Sequence, residues 1–316
     1  MIGNMRNPEK FRDPQRTLDG QARASVGLRG LETLWFNTGT LCNITCAHCY
    51  IESSPVNDRL AYLSAAEVAR YLDEIRDCRL PVHEIGFTGG EPFMNPEFLS
   101  MLADCLGRGF RVLVLTNAMQ PMQRPKIAQG LLEIHRRYGD KLTLRVSLDH
   151  YTPALHERER GAGTWDAARA GLQYLSDHGF SLHVAGRLCW NEDVQTARSG
   201  YAQLFAAHAL RIDAYDPGQL VLFPEMDEQA DVPEITTACW NILGKSPDSV
   251  MCASSRMVVK RKGAAHPVIT ACTLLPYDAR FEMGETLAGA SGPVSLNHPH
   301  CAKFCVLGGA SCSVRE

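Results

Sequence analysis

The stretch L-E-T-L-W-F-N-T-G-T-L-C-N-I-T-C-A-H-C, Leu31 to Cys49, runs from a short apolar segment straight into three closely spaced cysteines. Leu31 to Asn37 has the aliphatic and aromatic content of a strand, and Cys42, Cys46 and Cys49 follow it in a loop. That spacing puts three thiolates around one small cavity. A [4Fe-4S] cluster normally takes four Cys ligands, so a tight three-Cys loop leaves one iron with an open position that a small chelating molecule can fill. A zinc loop is the competing reading, but a closed zinc site wants a fourth protein ligand, and His48 is badly placed between two of the cysteines.

Outward from this loop, strand-like and helix-period segments alternate. Ser64 to Cys78 reads as a helix opened by an S-A-A-E capping box, and Glu84 to Thr88 as a second strand ended by Gly89-Gly90-Glu91-Pro92. A helix from Pro96 to Leu106, a strand from Arg111 to Thr116, a helix from Lys126 to Tyr138 and a strand from Leu142 to Leu148 follow. Beyond a polar loop come a helix (Thr164 to His178), a fifth strand (Ser181 to Arg187), a helix (Glu192 to His208) and a sixth strand near Leu220 to Phe223. Repeated βα units of this length make a parallel sheet, either doubly wound or closed toward a barrel. Past Asp248 the rhythm changes to short β-like pieces (Arg256 to Lys260, Pro267 to Ala271) among glycines, prolines and cysteines. The expected organisation is therefore an N-terminal extension (1–30), an α/β unit (31–247) and a small cysteine-rich C-terminal domain (248–316).

Composition fits this plan. The 316 residues are 45% hydrophobic and 21% charged, ordinary for a globular protein, and long enough for a large α/β domain plus an appendage. A net charge of −3 gives no basic footprint for nucleic acid. No apolar run approaches the roughly 18 residues that a membrane span needs, and the polar start lacks a secretory signal, so the chain reads as cytoplasmic. In that compartment the 12 cysteines are better explained by metal or cluster ligation than by disulfides. Cys78, Cys105, Cys189 and Cys239 stand alone and read as small buried hydrophobes.

The order strand, C-x3-C-x2-C loop, helix, strand, G-G-E-P resembles the radical S-adenosylmethionine (radical SAM) enzymes, over roughly Leu31 to His208. The resemblance implies a partial (β/α)6 TIM-like barrel, a [4Fe-4S] cluster on Cys42, Cys46 and Cys49, and S-adenosylmethionine chelated to the fourth iron. It places His48 against the adenine, and Gly89, Gly90 and Glu91 beside the methionine ammonium, where missing side chains let the strand end approach. Ser147 and Asp149 in V-S-L-D-H, and Asn117 after the third strand, resemble the family's contacts to cofactor carboxylate or ribose. Arg160 and Arg187 are placed to pair with the methionine carboxylate. Reductive cleavage to a 5′-deoxyadenosyl radical, fed by a flavodoxin- or ferredoxin-like donor, is the implied chemistry.

The late cysteines resemble the twitch or SPASM-type extensions of this superfamily, which carry an auxiliary [4Fe-4S] cluster. Cys252, Cys272, Cys301 and Cys305 are the first choice of ligands, with Cys312 as substitute; a structural zinc is the alternative, since thiolates suit both metals. Glu225 and Asp227, together with Asp149, are candidate catalytic proton acceptors, with Asp213 and Asp216 behind them. The expected function is radical oxidation or coupling at an unactivated carbon of a small molecule or short peptide. The 30 or so residues before the first strand leave little room for a peptide-recognition domain, which tilts the expectation toward a small substrate. A peptide maturase and a non-catalytic electron or metal carrier are the alternatives.

Overall fold

Six strands follow one another along the chain as the periodicity predicts: β1 (Thr33–Asn37), β2 (Glu84–Thr88), β3 (Arg111–Thr116), β4 (Leu142–Ser147), β5 (Ser181–Leu188) and β6 (Leu220–Pro224). In the computed structural model, which describes residues 6–225 and 227–309, each pairs in parallel with the next. Two more strands come from the cysteine-rich segment. β7 (Ser255–Val259) lies parallel to β1 on its free side, and β8 (Val268–Thr270) runs antiparallel to β7, giving the order β6-β5-β4-β3-β2-β1-β7-β8.

Crossover helices α1 (Ala65–Asp77), α2 (Phe98–Gly107), α3 (Pro125–Tyr138), α5 (Thr164–Asp177) and α6 (Val194–Ala207) join the strands, with a short helix α4 (Pro153–Arg160) ahead of α5. The S-A-A-E box closes as read: Ser64 accepts from the Glu67 N–H while the Glu67 side chain caps Ser64 in return. The segment expected to be a polar loop is α4. Its sequence P-A-L-H-E-R-E-R has little apolar periodicity, but Pro153 in the first turn and Gly161 after the last, at φ +99°, frame a helix.

Side chains alternate across each strand, so the sheet has two covered faces. Leu34, Phe36, Ile85, Phe87, Val112 and Val114 pack outward against the helices. Trp35, Leu113, Met257 and Val259 point to the other side, where they meet Phe11, Met251, Leu274, Phe281 and Phe304. Trp35 fits because its register partner is Gly86, where an added Cβ would lie 2.4 Å from the indole. The inner face is thus filled by the N-terminal and cysteine-rich segments; both share the core with the barrel, and the cysteine-rich segment shares its sheet as well. Among the described residues no helix is long and apolar enough to cross a membrane.

Candidate functional site

The loop after β1 is held by the end of β2. Thr38 N–H donates to the Thr88 carbonyl at 2.8 Å, Gly90 N–H to Gly39 at 2.8 Å and Glu91 N–H to Leu41 at 3.2 Å. The glycines permit this contact: a Cβ on Gly89 would lie 2.5 Å from the Gly39 carbonyl oxygen, and one on Gly90 2.1 Å from that of Leu41. Their missing side chains therefore seat the cysteine loop as well as opening the cavity that they line. Glu91 is buried behind them, its carboxylate accepting from the Thr116 hydroxyl and the Asn117 N–H, both at 2.8 Å. It ties β2 to β3 and does not line the cavity.

That cavity, about 160 Å³, is lined by Cys42, Cys46, Cys49, His48, Gly89, Gly90, Asn117, Ser147, Asp149, Arg160 and Arg187. The cysteines and His48 come from the loop after β1 and the others from the ends of β2, β3, β4 and β5 and from α4; the sequence names these polar and glycine positions, but not the apolar part of the lining, which includes Ile44, Leu115, Phe223, Leu274 and Phe304. Asn117 reaches back to the loop, donating to Asn43 Oδ1 at 2.9 Å. Arg160 grips Asp149 with two hydrogen bonds, and Arg187 Nη1 donates to Glu159 Oε2 at 2.9 Å. Glu159 also accepts from His48 Nδ1 at 2.9 Å, and its carbonyl from the Ala47 N–H at 2.7 Å. The last turn of α4 is thus the clasp of the cysteine loop. Glu159 is not among the residues the sequence points to, because its helix shows little apolar periodicity; the Pro153 and Gly161 punctuation is the signal that finds it.

Electrostatics suit thiolate ligands. Burial pushes the Cys42 thiol up to about 12 and raises Cys46 as well, with Arg160 opposing the rise at Cys46. Burial also opposes the charge on Arg160, but Asp149 and the thiols outweigh it. A metal group displaces the thiol protons and relieves that cost, with a guanidinium already in place beside the sulfurs. Among the described residues the three thiols do not converge within 4.8 Å of one another. Three free thiols on one cavity, facing glycine backbone and a buried Arg, fit the cluster and its nucleoside ligand.

Glu225 and Asp227 are not brought here. Glu225 is exposed beside Lys303, at 3.7 Å, and Asp227 accepts from the Gln229 N–H in a surface turn. Asp213 and Asp216 precede β6 and sit at the opposite, N-terminal end of the strands, Asp216 capping Gly218 and Gln219. Asp149 lines the cavity, but both its oxygens are engaged by Arg160, which leaves it a positioning group rather than a free base.

A second cavity lies on the same inner face, lined by Cys252, Cys272, Cys301 and Cys305 together with His300. Cys252 precedes β7 and Cys272 follows β8, so the antiparallel pair brings them to one end; Cys301 and Cys305 sit on a π-helix (Cys301–Leu307). Burial pushes the Cys301 thiol well up, reinforced by Cys272 and Cys252. Cys312 falls outside the described residues. Leu274 lines both cavities, and Phe304, on the π-helix, lines the first one beside Phe223, ring centres 5.3 Å apart.

Residues 36–189 match the family described as the radical SAM superfamily, so the barrel is a radical SAM domain, a class that uses a [4Fe-4S] cluster and S-adenosylmethionine. Within that class the chain is similar to the antilisterial bacteriocin subtilosin biosynthesis protein AlbA of Bacillus subtilis, at 32% identity over 145 residues, 46% of this chain and 30% of AlbA. It is also similar to the mycofactocin maturase MftC of Mycobacterium tuberculosis, at 29% over 140 residues, 44% of this chain and 33% of MftC. These matches span about a third of each relative. In fold it resembles Streptococcus suis SuiB bound to precursor peptide SuiA, with a TM-score of 0.60 at 12% identity, over 84% of this chain and 65% of SuiB.

Proposed function

We propose that this chain is a radical SAM peptide maturase, oxidising or coupling an unactivated carbon of a peptide. One structural observation carries the choice of a peptide over a small molecule. Past Tyr50 and Leu274 the thiol cavity adjoins a groove of about 460 Å³, which those two residues also line. An extended segment lying in that groove reaches the cavity, with Phe223, Leu274 and Phe304 as an apolar wall. The names of AlbA and MftC and the peptide bound to SuiB support the same reading.

Cys42, Cys46 and Cys49 hold the cluster, and reductive cleavage of S-adenosylmethionine is the chemistry it supplies when bound. Gly89 and Gly90 offer backbone to the methionine end, with Arg160 and Asn117 beside it. Asp149 and Glu159 hold Arg160, Arg187 and His48 in place. The apolar wall keeps water from the reacting carbon. Cys252, Cys272, Cys301 and Cys305 hold an auxiliary metal centre, and a flavodoxin or ferredoxin supplies electrons.

Anaerobically reconstituted, reduced protein should form 5′-deoxyadenosine from S-adenosylmethionine. With short peptides encoded beside its gene it should yield a product lighter by a pair of hydrogens. Absence of 5′-deoxyadenosine with the cluster verified overturns the enzyme reading; 5′-deoxyadenosine with every neighbouring peptide unchanged overturns the peptide.

A further inference from the structure

His298, Pro299 and His300 lead into the π-helix, and Glu228 stands opposite both histidines. His300 Nε2 lies 3.3 Å and His298 Nε2 3.7 Å from Glu228 Oε1. Donor atoms of the three lie within 4.8 Å of one another, a spacing that a lone divalent cation could bridge. His298 argues against that. Its Nδ1 accepts the His300 backbone N–H at 3.1 Å, so its own proton sits on Nε2, where the cation would bind.

His300 is different. Its Nε2–H faces the carboxylate, which leaves Nδ1 as a lone pair, and that atom is buried with no hydrogen-bond partner. The residue is 3% exposed and lines the cavity of Cys252, Cys272, Cys301 and Cys305. A ring nitrogen left open while the other faces a carboxylate is the usual posture of a metal-ligating histidine. The cavity then offers five donors, while a cubane has four irons. Burial decides which donor is used. An unpartnered buried nitrogen is costly, whereas leaving out one of the two half-buried thiols, Cys272 or Cys305, costs less.

Resting on the reading that this cavity holds a metal centre, we infer that His300 Nδ1 is one of its ligands, beside the buried Cys252 and Cys301 and one of the half-buried pair Cys272 and Cys305, with Glu228 fixing the ring.

The test uses the full chain carrying Cys42→Ala, Cys46→Ala and Cys49→Ala, so that the C-terminal centre alone binds iron, reconstituted anaerobically and reduced. Pulsed paramagnetic resonance should show a strong 14N coupling that disappears in His300→Ala, both here and in protein with the first three cysteines restored. One of Cys272→Ala and Cys305→Ala should keep on the order of four irons while the double variant loses them, and Glu228→Ala should lose iron to a chelator about 10–100-fold more readily. If the cavity takes zinc, X-ray absorption fitted by three sulfurs and one nitrogen supports the assignment, and four sulfurs overturn it. A cluster without strong nitrogen coupling overturns the His300 assignment alone. No metal in the triple variant, with no more than about four irons in protein that keeps the first three cysteines, overturns the auxiliary centre and the assignment together.

Discussion

Arg160 holds Asp149 with Nε 2.9 Å from Oδ2 and Nη2 3.1 Å from Oδ1, and both side chains are nearly out of solvent, at 13% and 8% exposure. Two parallel hydrogen bonds fix the guanidinium plane beside the cysteine loop. Removing one member of such a pair leaves the other charged and dry. Asp149→Ala is expected to destabilise the metal-free protein by about 3–5 kcal/mol, read as a lowered urea midpoint. Asp149→Ala with Arg160→Leu should recover part of the loss, and a double variant no better than the single one would count against a charge penalty as its cause.

Gly90→Ala drives a methyl group into the Leu41 carbonyl, 2.1 Å away, and both contact atoms belong to backbone. The cysteine loop must move. Iron bound through the first three cysteines, and 5′-deoxyadenosine formation with it, should fall at least about tenfold, since a misplacement of around 1 Å already costs far more. Gly27→Ala, with nothing within 4 Å of the added atom, serves as the control and should leave both unchanged.

Glu91 sets a pH dependence. Burial pushes its carboxyl up to about 7 from an ordinary 4.5, despite the donors from Asn117, Thr116 and Phe93 that favour the charged form. Between those two values the folded chain binds more protons than the unfolded one, so stability falls as pH rises through that window, by about 3 kcal/mol in all. Urea midpoints of metal-free protein between pH 4.5 and 7 should show the slope, and Glu91→Gln should flatten it. An equal slope in the variant would assign it to other groups.

Metal loading should stiffen the late segment most. Cys252, Cys272 and Cys301 lie far apart in sequence, so a shared metal closes long loops and couples binding to local folding. Amide exchange across 251–307 is expected to slow on reconstitution, while β3 and β4 change little. Uniform slowing across the barrel would instead assign the effect to the first three cysteines.

Much of this was legible before any coordinates. The six strands came from local apolar runs, and the cavity lining from polar residues at strand ends, because parallel strands deliver their C-terminal ends to one mouth. Two things were not legible. The helix carrying Glu159 and Arg160 is too short and too charged to show a helical period, and it announces itself only by its flanking Pro and Gly. The pairing of β7 with β1 is a long-range choice, and nothing in the local pattern of Ser255 to Val259 says which edge receives it. Direction misled too: Asp213 and Asp216 are close in sequence to β6 but lie ahead of it, at the wrong end.

The π-helix bearing Cys301 and Cys305 also presents Phe304 to the first cavity. Far downstream of the cysteine loop in synthesis, it makes the last panel of the first cavity the same piece of chain that carries Cys301, a proposed ligand of the second centre. A half-assembled protein, loaded at the early cysteines but bare at the late ones, would thus hold a radical generator with a door ajar. On the proposed reading, the late centre is the one to fill first.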